Sequence, residues 1–489
     1  MLPSPPSDYE MGLYYRQNKA VLYTASIISF LILLTGIVLF SLSHPSLVWY
    51  LPYAILIGTY LSISYFIGVF SKPYRIERHI NHPTPPIDIF IATCGEAPEV
   101  IMNTISYAAE AAEKYGNAKV YVLDDGKDER IFRIAEEYEA TYITRPTNEL
   151  RKAGNLRNAF SKTTGEFFLI LDADFAVRSD ILKTLVEHMY IDPNVAIVQS
   201  PQYFRVKYGQ SWVEKGSGYI QELFYRLIQV NRNHWGAPIC VGTNALYRRK
   251  ALEPRGGTAP IGYSEDLHTG FYAMCDGWKV KYVPMNLATG LCPDSIKGFF
   301  NQQYRWCMGS FTLMLNPEFW RSPLSLMQKL CFISGMLYYV ATGAGIIFNF
   351  LPSLIVLLWL PELAHVYNIA FSIPSLLVGT VFMAYWSKAK WGWYAPQTRQ
   401  VSYWAHLFAI VDRLRGDLMP WVPTGQNKNT SRFRWFKNTF LGYQGLHAGL
   451  IIGAASARDW NADIFPMVGL QLFYVALSLR AVITLISTK

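Results

Sequence analysis

Two apolar runs near the amino terminus constrain this chain more than anything else in it. Val21 to Leu42 and Leu47 to Phe70 hold no charged side chain, and as helices each is long enough to cross a hydrocarbon core of about 30 Å. The first is too long for a signal peptide and lacks a small-residue cleavage site, so both read as spans. Arg16 and Lys19 precede the pair and Lys72, Arg75 and Arg78 follow it, whereas the link Ser43–Ser46 has neither Lys nor Arg. Basic flanks stay in the cytosol, so the hairpin delivers Pro73 onward to that side.

Composition agrees with a membrane protein. Hydrophobic residues make up 51% of the 489 and charged residues 16%, against about 25% charged in soluble domains. The 14 Trp and 32 Tyr suit interfacial belts. The net charge of +9 is spread beside the apolar runs, which fits lipid headgroups and a phosphorylated substrate, and no nucleic-acid partner is expected. Cys94, Cys240, Cys275, Cys292, Cys307 and Cys331 show no paired CxxC spacing and are expected as reduced thiols.

After the Pro-rich link His82–Pro86, apolar strand-like runs alternate with helical periodicity: Ile87–Thr93, Glu99–Tyr115, Lys119–Leu123, Glu129–Tyr138, Phe167–Leu171. Such alternation predicts βαβ units and an α/β domain with a mostly parallel sheet, whose ligands bind beyond the carboxyl ends of the strands. We place an amino-terminal transmembrane hairpin at 1–79, the cytosolic domain at 80–322 and a carboxy-terminal membrane region at 323–489. Further spans are expected near Val340–Leu360, Ile373–Trp386, Thr439–Ala457 and Ile464–Ser487, about six in all, with both termini cytosolic. Val401–Leu418 reads as an interfacial helix with Asp412, Arg413, Arg415 and Asp417 on its polar side, and Met327–Tyr339 as a second.

Candidate chemistry gathers after the strands. Asp172-Ala173-Asp174 follows an apolar strand, and two carboxylates so spaced can share a divalent cation on a diphosphate; a solvated turn is the plain alternative. Asp124-Asp125-Gly126 also ends a strand, where the acids could accept hydrogen bonds from a base or ribose, though Asp-Gly is as readily a turn. Lys152, in Arg151–Asn155, suits phosphates or a helix start. Ser264-Glu265-Asp266 follows a Gly-rich segment and opens a helix, where first-turn acids also suit the helix dipole. Gln302, Arg305 and Trp306 lie at i, i+3 and i+4, so a helix presents an amide, a guanidinium and an indole together.

In this order, the motifs resemble those of the processive family 2 glycosyltransferases of the cellulose synthase superfamily: Asp, DxD, TED and QxxRW are similar to Asp124-Asp125, Asp172-Ala173-Asp174, Ser264-Glu265-Asp266 and Gln302-Gln303-Tyr304-Arg305-Trp306. Val198–Gln202, Val241–Asn244 and the flanking spans extend the resemblance over nearly the whole chain. It implies a GT-A domain and an inverting transfer from a UDP-sugar to a nascent polysaccharide acceptor. Asp124 and Asp125 then hold the nucleotide, with Lys152 near the phosphates. Asp172 and Asp174 take the base contact and Mg²⁺ or Mn²⁺, and Asp266 is the general base. Gln302 and Arg305 engage diphosphate, and Trp306 stacks on the acceptor. The third motif opens with Ser264 in place of Thr, which keeps a hydroxyl. The family's FxVT gating loop is matched loosely by Trp421-Val422-Pro423-Thr424, giving Thr424 a substrate-side role. Neither the cyclic-di-GMP-binding barrel of bacterial cellulose synthases nor the zinc-binding amino terminus of plant ones is expected.

A one-sugar transferase acting on a lipid carrier needs no Trp306, and a transporter or scaffold needs no acids at strand ends. The expected product is cellulose-like β-1,4-glucan from UDP-glucose, ahead of β-1,3 (curdlan-like) or mixed-linkage glucan and then hyaluronan or mannan. The setting is the bacterial inner (plasma) membrane, with membrane lipid, accessory secretion subunits or a homo-oligomer as further partners.

Overall fold

The computed structural model describes residues 2–15, 19–77, 80–387, 392–417 and 431–487, apart from the side chains of Tyr367 and Asn368. Trp421–Thr424, and with it Thr424, lies outside the described residues.

Among the described residues nine strands form: β1 (Ile87–Thr93), β2 (Ala118–Asp124), β3 (Thr141–Ile143), β4 (Phe167–Asp172), β5 (Phe175–Val177), β6 (Val195–Gln199), β7 (Ala245–Arg248), β8 (Lys279–Tyr282) and β9 (Ala288–Gly290). Seven make one sheet in the order β3-β2-β1-β4-β7-β6-β8, and β5 pairs with β9. β7 runs antiparallel to β4 and β6, while the remaining pairs of the large sheet are parallel. Successive side chains on a strand point to opposite faces. Ile87, Ile89 and Ile91 accordingly pack with Leu169 and Leu171 on one face, and Phe90 with Phe168 and Ile170 on the other. Because both faces are covered, the strands read as continuous apolar runs.

Register places the chemistry. Thr93 pairs with Asp124 across β1 and β2, and Ala92 with Asp172 across β1 and β4, so the predicted acids emerge together at the carboxyl edge.

Among the described residues four helical segments are long and apolar enough to cross a membrane by length and composition: Lys19–Leu42, Pro45–Val69, Leu326–Trp359 and Ala462–Ser487. Each of the six expected spans has a helical counterpart, but the other two fall short of that standard. Ile373–Ser387 is apolar and shorter. Ser431–Ser456 carries Arg432, Arg434 and Lys437 and buries Gln444 and His447.

Two expectations are corrected. Met327–Tyr339 is not a separate surface helix: a capping box between Ser325 and Gln328 starts one helix, Leu326–Phe348, that runs on into the expected span, which the helix Leu351–Trp359 continues. The segment around Val401 is the longer helix Tyr394–Arg415, packed between Ile296–Leu315 and Leu326–Phe348. Its Asp412, expected on the polar side, is 1% exposed and accepts from the Tyr304 hydroxyl at 2.9 Å and from Arg432 Nε at 2.8 Å. An ion pair inside the protein, joining Tyr394–Arg415 to the next described helix Ser431–Ser456, gives no local sign of burial. Ile67, Phe332 and Met336 of the apolar helices share a core with Phe90 and Phe168, so those helices rest directly on the sheet layer.

Candidate active site

Asp124 and Asp125 end β2 but turn into their own loop. Asp124 accepts from the backbone N–H of Gly126 and Asp128 and from the Tyr142 hydroxyl, at 2.7, 2.9 and 2.8 Å. Asp125 forms a buried two-point pair with Arg145, at 2.7 and 2.6 Å. Arg145 also donates to the carbonyls of Glu149 and Arg151 and so ties this loop to the start of the helix Arg151–Lys162. Sequence reasoning missed Arg145 and Tyr142; only tertiary contact reveals them.

A second group is drawn together at the end of β4. Lys152 donates to Asp172 Oδ1 and to the Gly242 carbonyl, the latter at 2.9 Å, and its Nζ is 3.8 Å from Glu265. Burial opposes the lysine charge, yet Asp172 and Glu265 outweigh it and hold the amine above the ordinary lysine range. Asp174 is pushed up to about 8 by burial and by Asp172 and Glu96. Glu96, which accepts from Thr93 and from the Cys94 N–H, is raised by burial as well. Among the described residues no cluster of three or more His, Cys, Asp or Glu could hold a metal ion by itself. The donor set still fits one: Asp172 and Asp174 supply hard oxygen ligands to a cation that a diphosphate would complete, and the raised Asp174 marks negative charge that a cation would relieve.

Asp266 stands at the start of the helix Glu265–Cys275, and burial, then Glu265, raises it to about 7. Its Oδ1 accepts only from the adjacent Leu267 N–H, at 2.8 Å, and the N-cap residue Ser264 makes no capping hydrogen bond. Gly242, with φ of +71°, lets the backbone run against Asp266: a Cβ there would lie 2.8 Å from the carboxylate side chain. The motif Val241–Asn244 thus gains a physical reason, and its Thr243 accepts from the Asp172 N–H at 2.9 Å.

The helix Ile296–Leu315 carries Gln302, Arg305 and Trp306 as expected. Gly309 allows it to approach Ser264, whose Oγ would sit 2.2 Å from a Cβ at that position. Burial lowers the Arg305 pKa, against the pull of Asp172 and Glu265. The Gln302 side-chain oxygen is buried without a partner among the described residues. Lys152, Asp172, Glu265, Asp266 and Arg305 therefore interact as one site, and Trp306 and Asp266 line one cavity of about 590 Å³. The same cavity is lined by Tyr23, Phe30, Tyr60 and Tyr338 from the apolar helices. A π-helical segment, Phe224–Ile228, contributes Tyr225 to its wall, a distortion frequent at functional sites.

A mostly parallel sheet with acids at its carboxyl edge has the fold of a glycosyltransferase domain of GT-A type. The solved mannosyltransferase from Pyrobaculum calidifontis, in complex with GDP-Man and Mn²⁺, shares the fold, with TM-score 0.56 and 16% identity over 79% of this chain and all of that one. Residues 88–256 match the family model for glycosyl transferase family 2. The cellulose synthase 1 catalytic subunit (UDP-forming) of Komagataeibacter xylinus is 34% identical over 54% of this chain and 36% of its own length. For the cellulose synthase catalytic subunit (UDP-forming) of Xanthomonas axonopodis pv. citri the values are 31%, 52% and 36%. The matched stretch spans little more than a third of these relatives. Residues 88–256 therefore carry a glycosyltransferase domain of family 2, and the chain is similar over its matched stretch to cellulose synthase catalytic subunits.

Proposed function

We propose that the protein polymerises a UDP-sugar, with UDP-glucose the first candidate, into a β-linked polysaccharide and passes the product through its own membrane helices. The observation that carries this is the cavity shared by Asp266 and Trp306 on one side and the apolar helices on the other. A soluble or single-transfer enzyme has no need to join its acceptor site to a membrane interior.

In this reading Asp124 and Asp125 shape the nucleotide pocket, and Lys152, Gln302 and Arg305 face the diphosphate. Asp172 and Asp174 hold Mg²⁺ or Mn²⁺, which offsets charge on departing UDP. Asp266 takes the proton from the acceptor hydroxyl as its oxygen bonds to the anomeric carbon, on the face opposite the leaving UDP. Trp306 stacks on the acceptor ring, and Thr424 closes over substrate. The reading takes six spans, the four apolar helices together with Ile373–Ser387 and Ser431–Ser456, with the catalytic domain in the cytosol at the plasma membrane. Lipid surrounds the helices, and accessory subunits or further copies assemble around the secreted chain.

β-1,4 linkage is favoured by the similarity to cellulose synthases; β-1,3 or mixed linkage depends on aiming a different hydroxyl at the same base. The test is to incubate the purified, reconstituted protein with each UDP-sugar and digest the product with linkage-specific glycanases. Products limited to a single added sugar on lipid would overturn the polymerase reading.

A further inference from the structure

The helix Ile296–Leu315 offers the cavity more than an indole. Gln303, Trp306 and Ser310, at i, i+3 and i+7, form one stripe, and all three line it. Gln303 is 3% exposed. Its Oε1 lies 3.4 Å from Nε2 of His406, a fully buried side chain whose Nδ1 is 2.7 Å from the Thr342 hydroxyl. That hydroxyl is in turn 2.8 Å from the Tyr338 carbonyl. The rings of Tyr338 and Tyr339 pack edge-on against the imidazole, with centroids 5.6 and 4.8 Å away.

Burial pushes the His406 pKa down to about 3, so the ring is neutral and has a single N–H. Two proton arrangements satisfy it. In one, Thr342 donates to Nδ1 and Nε2–H donates to the Gln303 oxygen, leaving the Gln303 NH₂ unmatched; this is the amide orientation found, and that nitrogen has no partner among the described residues. In the other, Nδ1–H donates to Thr342, Thr342 donates to the Tyr338 carbonyl, and the turned-over amide donates to Nε2, leaving its oxygen unmatched. Either way the relay ends in one unpaired amide group in the cavity wall beside Trp306.

We propose that Gln303 is an acceptor-binding residue: its unpaired amide group holds a hydroxyl of the sugar stacked on Trp306, and His406 and Thr342 fix its orientation. This rests on the glycan-synthase reading. A sugar hydroxyl both donates and accepts, so it answers either arrangement. A relay serving only to tie three helices together has no need to end in the cavity wall, whereas this one ends there, in the same stripe as Trp306.

The test uses the full chain in lipid nanodiscs, with whichever UDP-sugar the wild type turns over. Wild-type incorporation into polymer tests the synthase reading by itself, and the variant-to-wild-type ratio tests the relay. The readouts are sugar polymerised per UDP released, donor KM and thermal unfolding. Gln303→Leu should lower polymerised sugar per UDP by about tenfold with donor KM within about threefold, because an acceptor held without its hydrogen bond loses to water. Thr342→Val, which keeps the shape, should shift the ratio the same way by about two- to threefold. An unchanged ratio in Gln303→Leu overturns the proposal, whether or not turnover and unfolding temperature fall together as for a purely structural tie. If Gln303→Leu does not fold, an unchanged ratio in Thr342→Val overturns it instead.

Discussion

Two kinds of material meet along one cavity. At the rim of the sheet, Lys152, Asp172, Glu265, Asp266 and Arg305 interact as half-buried charges. Among the apolar helices the wall is built from rings and hydroxyls such as Tyr23, Tyr60 and Tyr338. Buried charge acts over a distance and is intolerant of change, since removing one partner leaves the other uncompensated. Rings and hydroxyls make many weak, exchangeable contacts. The contrast suits a reaction centre that handles a diphosphate and a path along which a neutral polymer slides. It also predicts that substitutions at the rim abolish function and comparable substitutions in the path only slow it.

The largest effect should come from the metal site. EDTA is expected to stop synthesis and Mg²⁺ or Mn²⁺ to restore it, and Asp174→Ala should give a folded, inactive protein, read by UDP release and circular dichroism. Full activity in chelator would show that Lys152 and Arg305 neutralise the diphosphate unaided.

Asp266→Asn comes next. General-base help is worth about 10²–10⁴-fold, and Asn cannot accept the proton, so elongation should fall by that factor with UDP affinity within about threefold. Stability separates this from a structural role. The folded pKa of about 7 lies above the ordinary 3.8, so the associated stability is fully present below pH 3.8 and lost as pH rises through about 7. The neutral Asn should therefore be no less stable than wild type at pH 8, and a marked fall in unfolding temperature there would count against the assignment.

A smaller effect follows from the same group. A base of pKa about 7 is active when ionised, so kcat/KM should climb about tenfold per pH unit below 7 and flatten above it. A flat profile between pH 5 and 7 would mean that bound donor and cation hold Asp266 ionised throughout.

What the sequence disclosed follows the same division. β1 was read to the residue, and β2 and β4 to within a residue at each end, because apolar runs bounded by turn signals are local. The acids were legible because they follow those strands directly. The antiparallel β7, the β5–β9 ribbon and the Arg145–Asp125 and Arg432–Asp412 pairs were not, since each joins segments whose partnership is settled by tertiary packing. The cavity wall was hardest to anticipate: Tyr60, Tyr338 and His406 sit in runs that read as apolar or amphipathic helix, and only their convergence gives them a role.

The smallest predicted effect tests the path itself. Tyr60 lines the cavity, with its ring centroid 6.0 Å from that of Tyr338. Tyr60→Phe keeps the ring and removes one hydroxyl, and a hydrogen bond exchanged with water is worth about 0.5–1.5 kcal/mol. Because a sliding polymer meets each such group in turn, with no one contact retained in the slow step, only the low end of that range should appear: a change of about twofold in synthesis rate and none in linkage. Tyr60→Leu, which removes the ring face as well, should cost more than Tyr60→Phe while staying well short of Asp266→Asn. If Tyr60→Phe instead lowered polymer synthesis by a hundredfold with normal folding, the path would be holding its sugar as strictly as the rim holds the diphosphate. The division between a charged reaction centre and a permissive channel would then have to be given up.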